Sequence, residues 1–274
     1  IELDWEYPKQ ETEASYEALV LELASVLHAE NKELSAAVAG ATNVNESAAV
    51  SKMISPKALE ALDFVEIMAY DLHTTEHSPL WFAKTSVEYW CRQLPADKVV
   101  LGVPLYARPS WVQYRHLVQA DPENAYRNFV AAGTVSKLDS SYNGLPLLHD
   151  KAVYALEHVG GIMFFDVNED ADGEYSAVRM VSDLVKEAEI QGAEAFERRI
   201  WVYQNGRPMF VSAVDEDAMG EPFIDGNGRT QLPVRKVAEA LGVDVTYDAK
   251  TKTVMMKKGE RSAILTIDVP SVVL

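Results

Sequence analysis

The sequence predicts an α/β fold, part of a (β/α)8 TIM barrel with a small α+β domain after it, and three observations predict it. Apolar runs of strand length alternate with amphipathic segments of helix length from residue 1 to about residue 190, a pattern that means parallel strands joined by crossover helices. The residues of chemical interest stand at the strands' C-terminal ends: Glu6, then Tyr70 and Asp71, then Tyr106, then Asp166. That is the end where α/β barrels build their sites. Beyond about Gln191 the pattern changes to short alternating runs separated by turn residues, which marks a separate domain.

The chain opens on "IELDWEYP". Alternation over residues 1–7 predicts a first strand with Glu2, Asp4 and Glu6 on one side and Ile1, Leu3 and Trp5 on the other. Alternation alone leaves a strand with one solvated face as open a reading as a functional one, although a solvated face would not need acids at all three positions, since neighbouring carboxylates repel. Helical spacing behind Thr12 predicts a helix over 12–30. Strands over 33–40, 64–72, 98–106 and 161–167 follow, separated by helices over 55–63, 78–94, 149–160 and, last, 174–189. The stretch 107–144 reads as irregular, with "AYRNFVAAG" helical inside it. Five strands do not close an eight-stranded barrel, so the chain reads as part of one. Residues 1–190 form this part, 191–198 a polar linker, and 199–274 the small domain, where "QNGR" and "KKGE" signal turns around the helix "PVRKVAEALG".

Of the 274 residues, 48% are hydrophobic, enough for a sizeable core. Acids outnumber bases 42 to 25, a net charge of −17, which argues against nucleic acid and anionic membrane surfaces as partners. Cys91 is the single cysteine, so neither an intramolecular disulfide nor a cysteine metal cluster can form. No apolar run reaches the roughly 18 residues of a membrane span.

The opening run resembles the signature of family 18 glycoside hydrolases, a ladder of acids on the fourth barrel strand that usually opens with Asp-Gly. That pair would fall just before residue 1, so the chain is expected to start inside the signature, with strands four to eight present and a signal peptide upstream. "IMAYDLH" is similar to the family's Met-x-Tyr-Asp on the sixth strand and "LGVPLYARP" to its seventh-strand segment. "GGIMFFDVNED" is similar to the eighth, with Phe165 where tryptophan usually stands, and "SSYNG" before a helix resembles smaller bacterial members. The resemblance covers residues 1 to about 188.

It implies a retaining, substrate-assisted hydrolysis in which the sugar's own N-acetyl oxygen attacks. Glu6 would be the general acid and then the base. Asp4 would orient the acetamido group and Glu6, its charge helping to keep Glu6 protonated. Glu2 stands where the family usually has Asp and reaches one methylene further. Tyr70 and Asp71 would bind the acetamido group, with Met68 packing beneath. Tyr106, Arg108 and Trp111 would line the substrate groove, and Phe165 would form a smaller floor under the sugar. Tyr114 is a further stacking candidate. No cofactor or metal is implied.

Other motifs take a plainer reading. His73 and His77 follow a strand and lack a third ligand, so a groove-edge loop is expected rather than a metal site. "EDADGEY" has the wrong spacing for calcium and reads as a helix-capping loop. Trp81, Tyr89 and Trp90 sit at near-helical spacing and are expected in the core. The tail resembles the small domain named after the N-terminal region of copper amine oxidases, through "NGRP", "GRTQLPVRKVAEALGVDVTYDAKTKTV" and "LTI". All six histidines lie before residue 160, so copper ligation of the usual kind is excluded there. A stalk or wall-associated role is the expectation.

These readings converge on a monomeric bacterial hydrolase, extracellular or at the cell surface, acting on chitin or peptidoglycan glycan. The alternatives are a carbohydrate-binding protein that has lost catalysis and a stalk protein with a remnant barrel. An open arc exposes its edge strands, so these residues by themselves are expected to hydrolyse slowly.

Overall fold

The computed structural model describes residues 1–274 except 46–52, 73–74, 193–195, 197–198, 205–206, 210–221, 270–271 and 274. Two compact units, Ile1–Glu197 and Arg198–Leu274, make up the chain.

In chain order the first unit runs β1 (Glu2–Leu3), α1 (Glu13–Ala29), β2 (Ser35–Ala39), α2 (Pro56–Ala61), β3 (Phe64–Met68), α3 (Leu80–Trp90), β4 (Val99–Pro104), α4 (Tyr114–Ala120), β5 (Phe129–Val130), β6 (Ser140–Ser141), α5 (Leu145–His158), β7 (Gly161–Phe165) and α6 (Ala177–Gln191). β1, β2, β3, β4 and β7 form one open parallel sheet in that order, part of a TIM barrel. Alternation along β3 puts Glu66 and Met68 on one face and the wholly buried Val65 and Ile67 on the other. Helices α3 and α5 pack on β4, whose Val99, Leu101 and Val103 are likewise wholly buried.

Each helix is held by a stripe at 3.6-residue spacing. In α1 the buried residues are Tyr16, Val20, Ala24 and Leu27. In α3 they include Phe82, Ala83, Ser86, Val87, Tyr89 and Trp90. The Trp90 indole donates to the Ala39 carbonyl at 2.9 Å, tying α3 to the end of β2. Trp81 lies off that stripe and is 49% exposed, so it leaves the core expected of it. The loop before α6 caps that helix as predicted: the Asp170 carboxylate accepts from the backbone N–H of Ala177 and Val178 at 2.8 and 3.1 Å.

Three expectations are corrected. The first strand spans only Glu2–Leu3 instead of residues 1–7. It pairs with β2 at Glu2 and Leu3; like charges along one flat row repel, and the backbone bends at Glu6. "AYRNFVAAG" is not helical: a 3-10 turn ends at Tyr126, and Phe129–Val130 pairs with Ser140–Ser141. The Asn128 carboxamide accepts from the Gly144 N–H at 2.9 Å, side-chain bonding of the kind that competes with a helix. The stretch also contains α4, whose buried Tyr114, Leu117 and Val118 have helical spacing. At the far end, Gln191, assigned to the linker, closes α6.

The second unit contains β8 (Val202–Gln204) paired with β9 (Arg207–Met209), β10 (Phe223–Ile224) paired with β11 (Thr230–Gln231), and helix α7 (Val234–Ala240). Strands β12 (Asp244–Asp248), β13 (Thr253–Lys258), β14 (Arg261–Thr266) and β15 (Val272–Val273) form an antiparallel sheet. Lys258 and Arg261 pair across the turn signalled by "KKGE", where Gly259 takes φ +60°, a conformation glycine adopts without a Cβ penalty.

Candidate active site

The C-terminal ends of β1, β3 and β7 and the segment after β4 bring most of the predicted residues to one cavity of about 450 Å³. Glu2, Asp4, Glu6, Met68, Tyr70, Asp71, Tyr106, Trp111 and Phe165 all line it. Arg108 does not line it but reaches Asp71 from behind, Nε to Oδ1 at 3.2 Å. Tyr114 faces away: it is wholly buried, and its hydroxyl donates to the Tyr175 carbonyl at 3.0 Å, which removes it as a stacking platform. A larger cleft of about 760 Å³ lies elsewhere, beside α2 and α3, and has a single acid, Glu60, in its lining.

Gly102 on β4 makes room for this cavity. A Cβ there would clash with the Ile67 carbonyl on β3 and press on the Tyr70 ring at 3.2 Å, so the close approach of β3 and β4 beside Tyr70 needs glycine. The Tyr70 ring stacks on Phe165 at 5.9 Å and 18°, and meets Tyr106 edge-on at 6.3 Å. Tyr106 in turn stacks on Trp111 at 5.1 Å, and the Arg108 guanidinium lies 3.8 Å over the outer indole. Phe165 and Trp111 remain 50% and 57% exposed, leaving aromatic faces open to a ligand.

Three groups converge on one oxygen of Asp71. The Tyr106 hydroxyl donates to Oδ1 at 2.9 Å, Arg108 Nε lies at 3.2 Å, and His77 Nδ1 at 3.4 Å, too long for a well-formed hydrogen bond. Oδ2 has no protein partner among the described residues. Burial pushes the Asp71 carboxyl up, but His77, Tyr106 and Arg108 more than offset this and hold it below the usual range. Burial also lowers the His77 imidazole despite Asp71. His77 is therefore a neutral group packed against Asp71 in the loop after β3; its partner in that motif, His73, lies outside the described residues.

The acid ladder is electrostatically crowded. Asp4 is raised by burial, then by the charges of Glu6 and Glu2. Burial raises the Tyr70 phenol, followed by the charges of Asp71, Glu6, Asp4 and Glu2, so the hydroxyl stays a neutral donor. Two residues missed by sequence reasoning belong to this cluster. Tyr7 lines the cavity, and its hydroxyl is raised by burial and by the neighbouring Glu6 carboxyl. Glu66 is pushed up to about 7 by burial and then by Glu2, and its Oε2 lies 3.4 Å from the Ser35 hydroxyl. A charged residue in mid-strand, two positions before Met68, was the available signal.

This arrangement can hold and release a proton, hydrogen-bond an amide through Tyr70 and Asp71, and cover the apolar face of a sugar ring. Among the described residues no cluster of three acid, His or Cys side chains could hold a metal ion, and no helix is long and apolar enough to cross a membrane.

Residues 1–170 match the family described as Glycosyl hydrolases family 18, and residues 211–274 the Copper amine oxidase N-terminal domain. Among solved structures, the chain is similar to the GH18 chitinase ChiB from the chitin utilization locus of Flavobacterium johnsoniae, at 30% identity and a TM-score of 0.55 over 66% of this chain and 58% of that one. It spans less than two thirds of that relative's length. Two others share the fold at lower identity. A plant class V chitinase mutant from Cycas revoluta in complex with (GlcNAc)3 matches at 23% identity, TM-score 0.52, over 66% of each chain. The Ostrinia furnacalis Group IV chitinase in complex with allosamidin matches at 18%, TM-score 0.54, over 68% of this chain and 67% of that one.

Proposed function

The chain belongs to glycosyl hydrolase family 18, and from that membership we propose that it hydrolyses β-1,4-linked N-acetylglucosamine polymers, chitin or the glycan of peptidoglycan and spore cortex, with retention and by substrate-assisted catalysis. The observation that carries this reading is the single cavity in which the acid ladder of Glu2, Asp4 and Glu6 faces Tyr70 and Asp71 from a distant part of the sequence.

In the first step Glu6 gives its proton to the glycosidic oxygen while the bond from that oxygen to C1 breaks. The acetamido oxygen of the same sugar forms the new bond to C1, giving an oxazolinium ion. The neutral Tyr70 hydroxyl and the Asp71 carboxylate hold the acetamide in line for this attack, and the negative charge of Asp4 stabilises the oxazolinium cation and orients Glu6. Water then adds to C1 as Glu6 takes its proton, which restores the acetamide and the β configuration. Phe165 and Trp111 supply the apolar faces that carry the sugar. The natural setting we assign is extracellular or at the cell surface of a bacterium, as a monomer with the tail domain as a spacer or wall-associated unit.

A second reading, carbohydrate binding without turnover, is favoured by Phe165 in place of the tryptophan usual in the family. One experiment separates the two. The full-length protein is given N-acetylglucosamine oligomers and their de-N-acetylated counterparts, and products are followed by proton NMR. Hydrolysis of the acetylated oligomers alone, with the β anomer appearing first, supports the mechanism. Equal cleavage of both, or an α anomer first, contradicts it, and binding with no product favours the second reading.

A further inference from the structure

The "SSYNG" run before α5 and Lys151 within α5 have no part in the chemistry above, yet they are built into the same wall. Lys151 is wholly buried, and among the described residues it forms no ion pair. Its ammonium donates to the Ser78 carbonyl at 2.7 Å, the Ser78 hydroxyl at 2.6 Å and Asn143 Oδ1 at 2.5 Å. Burial pulls it down to about 7. A charge held only by neutral oxygens is a costly way to fill a core position, so the reason for the lysine lies in what it ties together.

What it ties is the loop that carries Asp71. Ser78 closes this loop by donating its hydroxyl to the Ala69 carbonyl at 2.7 Å, while the Leu72 N–H donates to the His77 carbonyl at 2.9 Å. The Asn143 carboxamide also donates to the Ser78 carbonyl, at 3.2 Å. Ser141 holds two of the three neighbours of the Asp71 carboxylate, His77 and Arg108. Its hydroxyl accepts from the His77 N–H at 3.0 Å, and its backbone exchanges two bonds of 2.9 Å with Arg108.

We propose that Ser141, Asn143 and Lys151 are positioning residues for the substrate-binding Asp71 carboxylate, acting through Ser78, His77 and Arg108. The proposal rests on the reading that Asp71 meets the sugar. Tyr106 and Arg108 hold Oδ1, with His77 packed against it, the carboxylate lines the cavity, and loosening the strap lets it turn.

The test is a double-mutant cycle read on the Kd of the N-acetylglucosamine tetramer, measured by calorimetry on the full-length protein so that turnover is not required. Ser141→Ala and Lys151→Met are each made alone and together with Asp71→Asn. Each is expected to weaken binding about tenfold with Asp71 present, the scale of one lost bond to a charged group, and less than about twofold in the Asp71→Asn background. Equal losses in both backgrounds would mean a purely structural role and overturn the proposal. An Asp71→Asn protein that binds as tightly as the parent would instead sink the reading of the site, and the proposal with it. If Lys151→Met does not fold, Ser141→Ala, which removes one oxygen, carries the same test.

Discussion

Truncating Phe165 measures how much of the sugar's binding its ring supplies. The ring is 50% exposed, its inner face already stacked on Tyr70. An aromatic side chain offers about 150–250 Å², so about 100 Å² is free, and a pyranose lying flat on the outer face covers roughly half of it. At about 25 cal/mol/Å² this is about 1.3 kcal/mol, or about tenfold in Kd. Phe165→Ala is therefore predicted to weaken tetramer binding about tenfold by calorimetry. Phe165→Trp adds roughly 40 Å² of ring, of which half meets the sugar, and is predicted to tighten binding about twofold. Thermal melting separates this from the stacking lost against Tyr70. An alanine variant that is folded and binds as well as the parent would refute the assignment of Phe165 as the floor, and with it the logic that reads aromatic exposure in this cavity as sugar contact.

Two further predictions follow from the electrostatics. Tyr106→Phe removes the 2.9 Å bond to Asp71; kcat/KM on the tetramer is expected to fall roughly tenfold, and the acid limb of its pH profile to move to higher pH, because one cause of the low Asp71 pKa is gone. An unmoved acid limb would separate Asp71 from that limb. Glu66→Gln addresses the Glu2 pair: with a folded pKa pushed up to about 7 from the ordinary 4.5, the native state binds the proton more tightly than the unfolded chain, so the stability this group contributes is full below about pH 4.5 and is lost as pH rises to 7. Glutamine cannot ionise, so the variant should match the parent in melting temperature at pH 4 and exceed it at pH 8; no difference at pH 8 would dismiss the carboxyl pair.

Much of the site is legible in the sequence because the parallel sheet sends its loops to one end. Once "IELDWE", "IMAYD" and "VPLY" are read as strands ending in polar residues, alternation alone decides which side chains share a face. Where that rule stops, so does the legibility. The ladder bends at Glu6 after only two paired residues, which no local pattern reports. Tyr114 and Trp111 look alike in sequence, but helical spacing with Leu117 and Val118 buries the first, and the second takes φ +61° beside Arg108. Lys151 sits among polar residues of an amphipathic helix, where solvent is the ordinary expectation; only the tertiary placement of Ser78 and Asn143 buries it. His77 is drawn inward the same way, by the turn that closes at Ser78.

The central claim is that Glu6 is the acid of a glycoside hydrolase. It is tested most directly by product release from the N-acetylglucosamine tetramer by the full-length protein beside its Glu6→Gln variant, with binding measured in parallel. The account predicts hydrolysis that falls by about 10²–10⁴-fold in the variant while the tetramer still binds. Hydrolysis that survives the substitution unchanged would contradict the account.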